Sequence, residues 1–388
     1  MLAPTPYFAD RGCHVRIYEE ARSLQALGHQ VRIVTYHLGR DMPGIPTLRI
    51  PPIPWYGKLT AGPSWHKPYL DLLLLVKALG AVRSFRPDLI HAHLHEGAFI
   101  GFFIKKLTGL PLLFDCQGSL TGEMLDHGFM GEGSMLHRFF AFLEERINRF
   151  ADFIITSSSA GARDLAERWQ IPADRRRVLT DGVDTDVFRS YPGEEIRRRL
   201  GLATGVPLVV YLGLLNSYQG IDNLLSALVM LKARGSSIRF LLMGFPEEEY
   251  IRKARQLGLD DMVRFTGRID YARAPAYLCA GDLAVSPKLS LTEANGKLYN
   301  YMACGVPTVV YDTPVNREIL GDVGVYARFG DAADLADQIE ALMADGERRA
   351  QLARSVRERA VNCHSWWSRG AELAGIYNDM LARGAKGR

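Results

Sequence analysis

The sequence predicts an α/β protein with two domains, each built around a parallel sheet. Short apolar runs rich in β-branched residues alternate with amphipathic stretches, which indicates parallel strands with helices on both faces. The alternation runs through twice, and Asp, Pro and Gly accumulate near residues 186–192, between the two series. At 388 residues the chain is also too long for one compact core. Two such units facing each other would leave a cleft at the carboxyl ends of their strands, where open sheets bind ligands.

The elements are predicted from the period of the apolar residues. Strands are expected in the first half at residues 1–6, 31–36, 89–94, 112–117, 153–158 and 178–180. Strands in the second half are expected at 208–213, 240–244, 263–267, 283–287 and 308–312. Helical periodicity fills the gaps, for instance at 15–27, 137–150, 221–232 and 332–344, and a last helix is expected at 366–381. These elements predict a first domain at 1–188, a second at 189–365 and a terminal helical segment at 366–388.

Composition excludes several classes of protein. Lys and Arg exceed Asp and Glu by 47 to 43, and this net charge of +4 is too small to indicate a nucleic-acid partner. The five cysteines have no paired spacing, so neither a disulfide framework nor a zinc site is expected, and a reducing compartment suits them. No signal peptide or membrane-spanning segment is expected, because no apolar run reaches about 18 residues. We therefore expect a cytoplasmic protein that at most touches the inner membrane face.

The run Glu293-Ala-Asn-Gly296-Lys297 stands where a loop gives way to a helix, and it predicts an anion site. Gly296 has no side chain to block a ligand, and the N–H groups of the first helical turn would point out toward it. The helix dipole favours a negative group such as a diphosphate at that position. In the alternative interpretation Gly296 serves only the turn and Lys297 is a solvated surface side chain.

Several motifs in order along the chain resemble glycosyltransferase family 4. They are Asp10-Arg-Gly12 with Gly28-His29, Asp88-Leu-Ile-His-Ala-His93, Asp181-Gly-Val-Asp184 with Phe188, Leu212-Gly213 with Gly220-Ile-Asp222, and the loop from Glu293 to Gly305. The resemblance implies the GT-B architecture, in which two Rossmann-like domains face a cleft and the C-terminal helix crosses back to the first domain. It also implies metal-independent transfer of a sugar from a UDP- or GDP-sugar, with retention of the anomeric configuration and without a cofactor.

The resemblance also implies roles for residues and partners. Glu293 would bind sugar hydroxyls, Lys297 the diphosphate and Asn300 the ribose, while Gln117 and His93 would flank the transferred sugar. The other residues expected at the donor site are Gly12, Gly213, Gln219, Asn295, Gly296 and Leu298. The implied partners are a nucleotide-sugar donor and a glycan, lipid-linked or small-molecule acceptor, with peripheral membrane contact and no nucleic acid.

The chain departs from the family pattern at its cations. Leu214 and Gln219 stand where the family has Arg and Lys beside the diphosphate, and Gln117-Gly118 stands where it commonly has His-Gly. We expect Lys297 to compensate, with Arg11 and Arg16 as the alternative cations and Lys288 as a further candidate. The same departures leave two other functions open. One is a non-catalytic subunit that binds sugar nucleotides, and the other is a sugar-nucleotide epimerase of the same architecture.

Four further features each leave two interpretations. His91, His93 and His95 alternate and would share one strand face, but no Cys or carboxylate stands at ligand spacing, so no metal site is expected. Asp184-Thr-Asp186 mimics a metal motif and is interpreted as structural. The glycine-rich segment at 119–134 is too irregular for a core element and would be an acceptor-contacting or a surface loop. The apolar stripe of the predicted helix 137–150 favours core packing over membrane insertion.

Overall fold

The computed structural model describes residues 1–9, 11–59, 64–126, 128–202, 205–291 and 294–386. These form two compact units. One unit contains Met1–Asp181 together with the helix that begins at Trp366, and the other contains Gly182–Leu291 and Asn295–Ser365. Each unit carries its own parallel sheet.

The sheet of the first unit has seven parallel strands. They are β1 (Leu2–Ala3), β2 (Ile33–Thr35), β3 (Thr47–Arg49), β4 (Ile90–His93), β5 (Leu112–Cys116), β6 (Phe153–Thr156) and β7 (Arg176–Val178), in the order β3-β2-β1-β4-β5-β6-β7. The helices between them are α1 (Gly12–Ala26), α2 (Lys67–Phe85), α3 (Leu94–Thr108), α4 (Leu120–Asp126), α5 (Met135–Phe150) and α6 (Ser159–Glu167). The central strands are buried along their whole length, as expected for a parallel sheet covered on both faces.

The sheet of the second unit has six parallel strands. They are β8 (Leu208–Leu212), β9 (Arg239–Met243), β10 (Val263–Phe265), β11 (Leu283–Ser286), β12 (Thr308–Tyr311) and β13 (Val325–Ala327), in the order β10-β9-β8-β11-β12-β13. The helices are α7 (Glu194–Arg199), α8 (Ile221–Ala233), α9 (Glu248–Gln256), α10 (Ala274–Leu278), α11 (Lys297–Ala303), α12 (Pro314–Leu320), α13 (Ala332–Ala344) and α14 (Gly346–Cys363).

The last helix, α15 (Trp366–Lys386), packs against α1 of the first unit. Its apolar residues Trp366, Leu373 and Ile376 are buried, and Gly370 allows the close approach. A Cβ atom at Gly370 would lie 2.5 Å from Cβ of Ser23 on α1, so a larger residue there would separate the two helices. The C-terminal helix therefore completes the core of the unit that begins with Met1.

Both sheets reverse their strand order once. In the first unit β1 lies between β2 and β4, and in the second unit β8 lies between β9 and β11. Such a switch point opens a crevice outside the carboxyl ends of the two central strands, where α/β proteins bind ligands. The predicted fold, two Rossmann-like parallel sheets, is confirmed, and each sheet supplies one candidate binding edge.

Some elements differ from the predictions. The strands β3 and β13 were not expected, because three residues are too few to show a period, and β3 is only half-buried. The segment at 119–134, expected to be irregular, contains α4. The buried Glu144 carboxylate accepts hydrogen bonds from the backbone N–H groups of Leu120 (3.1 Å) and Thr121 (3.0 Å) and thereby caps this short helix.

Candidate active site

Three predicted donor residues meet at the switch point of the second sheet. Gly213 directly follows β8, Gln219 closes a turn at Ser217–Gln219, and Lys297 begins α11. The Lys297 ammonium contacts the side-chain oxygen of Gln219 and lies 4.9 Å from the centre of the Tyr211 ring. A Cβ atom at Gly213 would lie 2.9 Å from Lys297 Cε, so a side chain there would displace the ammonium. The structure thus places a half-buried cation at an edge suited to ligand binding.

Hydrogen bonds fix α11 against the strands on either side of this edge. The Tyr301 hydroxyl donates to the backbone oxygen of Leu212 at the end of β8 (3.3 Å) and accepts from its N–H (2.8 Å). The amide of Asn295 donates to the hydroxyl of Ser286, the last residue of β11, at 3.0 Å and to Asn316 at 3.0 Å. Asn295 is buried and its amide holds the loop that leads into α11, so its predicted contact with the donor stays a prediction.

The helix α11 presents one face outward. Gly296, Lys297 and Asn300 are half-buried on that face, whereas Leu298 and Tyr299 are fully enclosed. The N–H of Leu298 already donates to the backbone oxygen of Asn295 at 3.0 Å. The outward face therefore offers a cation and an amide side chain, whereas the N–H groups of Leu298 and Tyr299 are already bonded to backbone oxygens. Glu293 lies outside the described residues, and its predicted contact with the sugar rests on the sequence alone.

In the first unit, α1 begins at the switch point. Gly12 is its first residue, is exposed, and would present a Cβ atom to nothing within 4 Å among the described residues. Arg11 is the N-cap residue and its side chain makes no capping hydrogen bond there. Gly12 therefore leaves the backbone at this helix start accessible to a ligand, as its predicted role in donor binding requires.

A buried ion cluster underlies this edge of the first unit. The guanidinium of Arg16 donates through Nε to Asp115 Oδ2 at 3.0 Å and through Nη1 to Asp181 Oδ1 at 2.6 Å, and its Nε lies 3.0 Å from Glu20 Oε1. Arg16, Glu20 and Asp115 are each at most 2% exposed. Arg16 was expected as an alternative cation for the diphosphate, and the structure does not support this expectation, because its charge is enclosed and shared among carboxylates.

Asp115 organises two of the predicted catalytic residues. Its Oδ2 lies 2.9 Å from Nδ1 of His93 and accepts a 2.7 Å hydrogen bond from Nε2 of Gln117. Burial alone would raise the pKa of Asp115, but the Arg16 guanidinium and the hydrogen bond with His93 outweigh it and hold the pKa well below its usual range. Asp115 is therefore a carboxylate at neutral pH. It directs the Gln117 amide so that the carbonyl oxygen points away from the cluster.

The structure encloses His93 completely, and its ring stacks on His91 with centroids 4.2 Å apart. Burial lowers the pKa of both histidines, so both imidazoles are neutral at pH 7. His91 Nδ1 lies 2.7 Å from the Tyr377 hydroxyl on α15, which ties the cluster to the last helix. The predicted contact of His93 with the transferred sugar stays a prediction, and the geometry gives His93 a supporting contact to Asp115.

The three alternating histidines do not share one face. The strand β4 ends at His93, Leu94 has a φ of 63°, and His95 lies on α3, where its Nε2 is 3.8 Å from Glu144. The expectation of a shared face is wrong, because the chain turns at Leu94. Two carboxylates that the spacing did not reveal lie beside the other histidines instead.

Ligand atoms of Glu20, His91, His93 and Asp115 lie within 4.8 Å of one another, close enough to surround a metal ion. The Arg16 guanidinium already binds both of these carboxylates, however, and supplies the positive charge that a metal ion would bring. Burial, reinforced by the charges of Asp115 and Asp181, raises the pKa of Glu20 well above its usual range. The donor set fits an internal ion cluster better than a metal centre.

The Asp184-Thr-Asp186 run has a structural role in the described geometry. The carboxylate of Asp184 is buried and accepts hydrogen bonds from the backbone N–H groups of Asp186 (2.9 Å) and Val187 (3.2 Å). Such a turn fixes the chain at the start of the second unit.

Comparison with known proteins settles the family. Residues 11–182 match the family described as Glycosyl transferase 4-like domain, and residues 193–359 match Glycosyl transferases group 1. The chain belongs to glycosyltransferase family 4. The resemblance read from the motifs is confirmed, and the protein is a glycosyltransferase.

The relatives of this glycosyltransferase agree with the assignment, and solved structures share its fold. It is 27% identical over 395 residues to a D-inositol 3-phosphate glycosyltransferase of Thermobispora bispora, covering 96% of this chain and 90% of the relative. It is 25% identical to a phosphatidyl-myo-inositol mannosyltransferase of Mycobacterium leprae, covering 100% and 98%. Its fold matches sucrose-phosphate synthase from Thermosynechococcus elongatus (TM-score 0.82, 19% identity, 98% of each chain). It also matches HepE of Anabaena in complex with UDP-glucose (TM-score 0.77, 18% identity, 97% and 98% of the two chains).

Two positioning residues of the glycosyltransferase were missed from the sequence. Asp115 orients Gln117, and Tyr301 fixes α11 to β8. An acid inside the apolar run Leu-Leu-Phe-Asp115-Cys was a usable signal, because a charge buried in a strand needs a partner. Tyr301 gave no such signal, since a tyrosine at helical spacing looks like any core residue.

Proposed function

We propose that this glycosyltransferase moves a sugar from a UDP- or GDP-sugar to its acceptor with retention of configuration and without a metal ion. The observation that carries the proposal is the meeting of Lys297, Gln219 and Gly213 at the switch point of the second sheet. The structure of HepE was determined with UDP-glucose, and the relative from Mycobacterium leprae is named a mannosyltransferase. The HepE complex supports a nucleotide-sugar donor here, and the name of the Mycobacterium leprae relative supports transfer of a sugar.

The chemistry follows from the charge that the leaving group gains. As the sugar departs, negative charge grows on the nucleoside diphosphate, and a preorganised cation beside it lowers the barrier. Lys297 would supply this cation, because its ammonium is already held between Gln219 and the Tyr211 ring. Asn300 on the same face would meet the ribose, Gly12, Gly213 and Gly296 would let backbone approach the phosphates, and Glu293 would bind the sugar hydroxyls.

The first unit would supply the groups around the transferred sugar. Gln117 presents a carbonyl oxygen that can accept a hydrogen bond from a hydroxyl group, and the ionised Asp115 fixes that orientation. No side chain is proposed as a covalent nucleophile, because Gln117 is a neutral amide and the Asp115 carboxylate is fully buried and bound by Arg16. We propose that the bond from the anomeric carbon to the donor phosphate breaks, that the acceptor oxygen bonds to this carbon on the same face, and that the departing phosphate takes the acceptor's proton, which gives retention.

A thermal-shift panel followed by a turnover assay tests the proposal. UDP, GDP, ADP and their sugars would be screened first, since a ligand at about 100 times its Kd adds about 2.7 kcal/mol. We expect the UDP or GDP series to stabilise the protein, and we expect slow hydrolysis of the matching sugar nucleotide. Binding without any hydrolysis or transfer would favour the non-catalytic subunit, and an epimerised sugar nucleotide would favour the epimerase. Either outcome would overturn the proposed transfer.

Activity should survive EDTA. The Arg16 guanidinium already places a positive charge beside Glu20 and Asp115 of the His91 and His93 cluster, and Lys297 is the cation proposed for the diphosphate. Initial rates would be measured after dialysis against EDTA, with and without added Mn²⁺ or Mg²⁺. A rate that is lost in chelator and restored by either ion would contradict metal independence.

Glu293→Gln should impair transfer far more than nucleotide binding. A carboxylate makes charge-assisted hydrogen bonds with sugar hydroxyls, about twice as strong as those of the neutral amide. Bare UDP or GDP has no such sugar, so its Kd, measured by calorimetry, should stay unchanged while kcat falls. Glu340→Gln on α13 is the matched control, because that carboxylate is partly exposed and pairs with Arg234. If the affinity for bare UDP or GDP fell together with kcat, the proposed contact of Glu293 with the sugar hydroxyls would be contradicted.

The acceptor is proposed to be either a small polyol phosphate or a lipid-linked molecule. The D-inositol 3-phosphate relatives are named for the first, and the name of the Mycobacterium leprae relative includes a phosphatidyl lipid. With a lipid-linked acceptor, whose acyl chains stay in the bilayer, the enzyme would work in the cytoplasm at the inner membrane face. Among the described residues, no helix has the length and apolar character to cross that membrane.

A further inference from the structure

Two cysteines of the second unit, Cys279 and Cys304, lie in contact. Cys279 follows α10 and is half-buried, whereas Cys304 follows α11 and is buried. The Cys279 sulfur lies 3.8 Å from the backbone oxygen of Cys304 and 3.4 Å from that of Arg189. The two thiols also share a hydrogen bond. The fold therefore brings together a pair of thiols that have no paired spacing in the sequence.

The pairing of β11 with β12 holds these thiols next to each other. The helix α10 leads into β11 and α11 leads into β12, and in the parallel register Ala284 lies opposite Thr308. The ends of the two helices are therefore side by side at the amino edge of the sheet, each shortly before its strand. Because both strands belong to the core of the unit, the sulfur atoms stay within reach of each other without any change of fold.

The surroundings of Cys279 favour its thiolate form. The backbone N–H of Tyr191 donates to the Cys279 sulfur at 3.3 Å. The Arg357 guanidinium is held beside the pair, because its Nη1 donates to the backbone oxygen of Ala303 at 2.7 Å. The hydrogen bond with Cys304 lowers the pKa of Cys279 most, and Tyr191 and Arg357 lower it further against the effect of burial. The same hydrogen bond, together with burial, raises the pKa of Cys304.

We propose that Cys279 and Cys304 form a modification site, a dithiol that hydrogen peroxide closes into an intrachain disulfide, and that this bridge lowers the rate of sugar transfer. The thiolate is the form of cysteine that attacks a peroxide, and a second thiol in contact with it resolves the product. In a reducing compartment such a bridge forms transiently and acts as a sensor rather than as a framework. The effect on transfer rests on the role proposed above for Lys297, whereas the bridge itself does not.

The reaction balances with hydrogen peroxide as the oxidant. The Cys279 sulfur attacks one peroxide oxygen, the O–O bond breaks, and the hydroxide that leaves takes up the Cys279 proton as water. Cys279 is then a sulfenic acid. The Cys304 sulfur attacks the Cys279 sulfur, the S–O bond breaks, and the second hydroxide leaves as water with the Cys304 proton. The two thiols are oxidised to a disulfide, and the peroxide is reduced to two molecules of water.

The bridge would act on the donor site through α11. Lys297 begins this helix at the carboxyl edge of the sheet, and Cys304 follows its last turn at the opposite edge. A covalent bond is shorter than a contact between two sulfur atoms, so its closure draws the end of α11 toward α10. A helix of 7 residues moves as one body. A misplacement of about 1 Å at a group that stabilises a transition state can cost about 100-fold in rate.

Peroxide treatment of the full-length protein, followed by peptide mass spectrometry, tests the modification. We expect two peptides joined through Cys279 and Cys304, which dithiothreitol separates again. In Cys304→Ala no bridge can form, so Cys279 should stop at the sulfenic acid and be labelled by dimedone. In Cys279→Ser neither product should appear, although the serine hydroxyl can still accept a hydrogen bond from the Tyr191 N–H. The matched control is Cys363→Ala on α14, which removes an exposed cysteine and should form the bridge like the wild type.

Turnover of the same samples tests the effect on transfer. Peroxide should lower the kcat of the wild type and of Cys363→Ala at least about tenfold, and dithiothreitol should restore it. The kcat of Cys279→Ser should be the same before and after peroxide. If Cys279 and Cys304 stay free thiols while Cys363 is oxidised, the modification site is contradicted, and a bridge that leaves kcat unchanged contradicts its effect on transfer. A reduced enzyme without any turnover would instead contradict the proposed function, because the bridge is identified from the peptides alone.

Discussion

Lys297→Ala should lower kcat strongly. The loss of a preorganised charge beside the leaving group should raise the activation free energy by about 2–4 kcal/mol. The family's usual Arg and Lys are replaced by Leu214 and Gln219 in this chain. A leaving diphosphate still needs compensating charge, and a helix N-terminus offers only about half a unit. Since Arg16 is enclosed by carboxylates, Lys297 is the cation that the described geometry brings to the end of β8. The measurement is kcat and KM for hydrolysis or transfer of the matching sugar nucleotide.

A second variant separates charge from packing. The ammonium of Lys297 contacts the side chain of Gln219, so Gln219→Lys in the Lys297→Ala background returns a cation to nearly the same place. We expect this double variant to recover part of the lost rate, whereas Gln219→Met in the same background should not. Lys232→Ala is the control, because that lysine forms an exposed pair with Asp261 and should not affect turnover. A near-normal kcat in Lys297→Ala would show that Lys297 does not compensate the diphosphate charge, and Arg11 would then be the candidate cation.

The sequence predicted the fold well where the apolar period was long. The helix predicted at 332–344 has the bounds of α13, and the strand predicted at 112–117 contains β5. Both were found because each buries apolar residues that recur at a regular spacing along the chain. Three-residue strands such as β3 and β13 carry too little pattern to be found. The left-handed φ at Leu94, which moves His95 onto α3, has no signature in a non-glycine residue.

The candidate site was predictable only in part, for a physical reason. Residues of one loop, such as Gly296 and Lys297, could be grouped because the chain itself keeps them together. The pairing of Arg16 with Asp115 spans 99 positions and depends on how α1 lies on the sheet. Spacing along the chain does not encode such a contact. The sequence therefore identified candidate cations, but it did not show that Arg16 pairs with buried carboxylates inside the first unit.

Arg16→Met should destabilise the protein strongly, by about 3–5 kcal/mol, because removing one partner of a buried ion cluster leaves the others uncompensated. Asp115 and Glu20 are fully buried, and Arg16 also donates 3.0 Å to the backbone oxygen of Leu179. Methionine fills much of the volume but provides neither the charge nor the donors. Urea unfolding, followed by circular dichroism and fluorescence, would give the change in free energy.

The matched control and a double variant show whether charge is the cause. Arg149→Met removes an ion pair with Glu145 in the same unit, but both partners are exposed, so the loss should stay below about 1 kcal/mol. In Arg16→Met/Asp115→Asn the unpaired carboxylate is replaced by a neutral amide, so the double variant should be less destabilised than the sum of its single variants. If the two losses simply add, the cluster is not coupled through charge, and the Arg16 effect reflects packing alone.

The same double variant should release Gln117, because an amide in place of the Asp115 carboxylate can offer its nitrogen as well as its oxygen. The kcat should then fall even where the fold is retained.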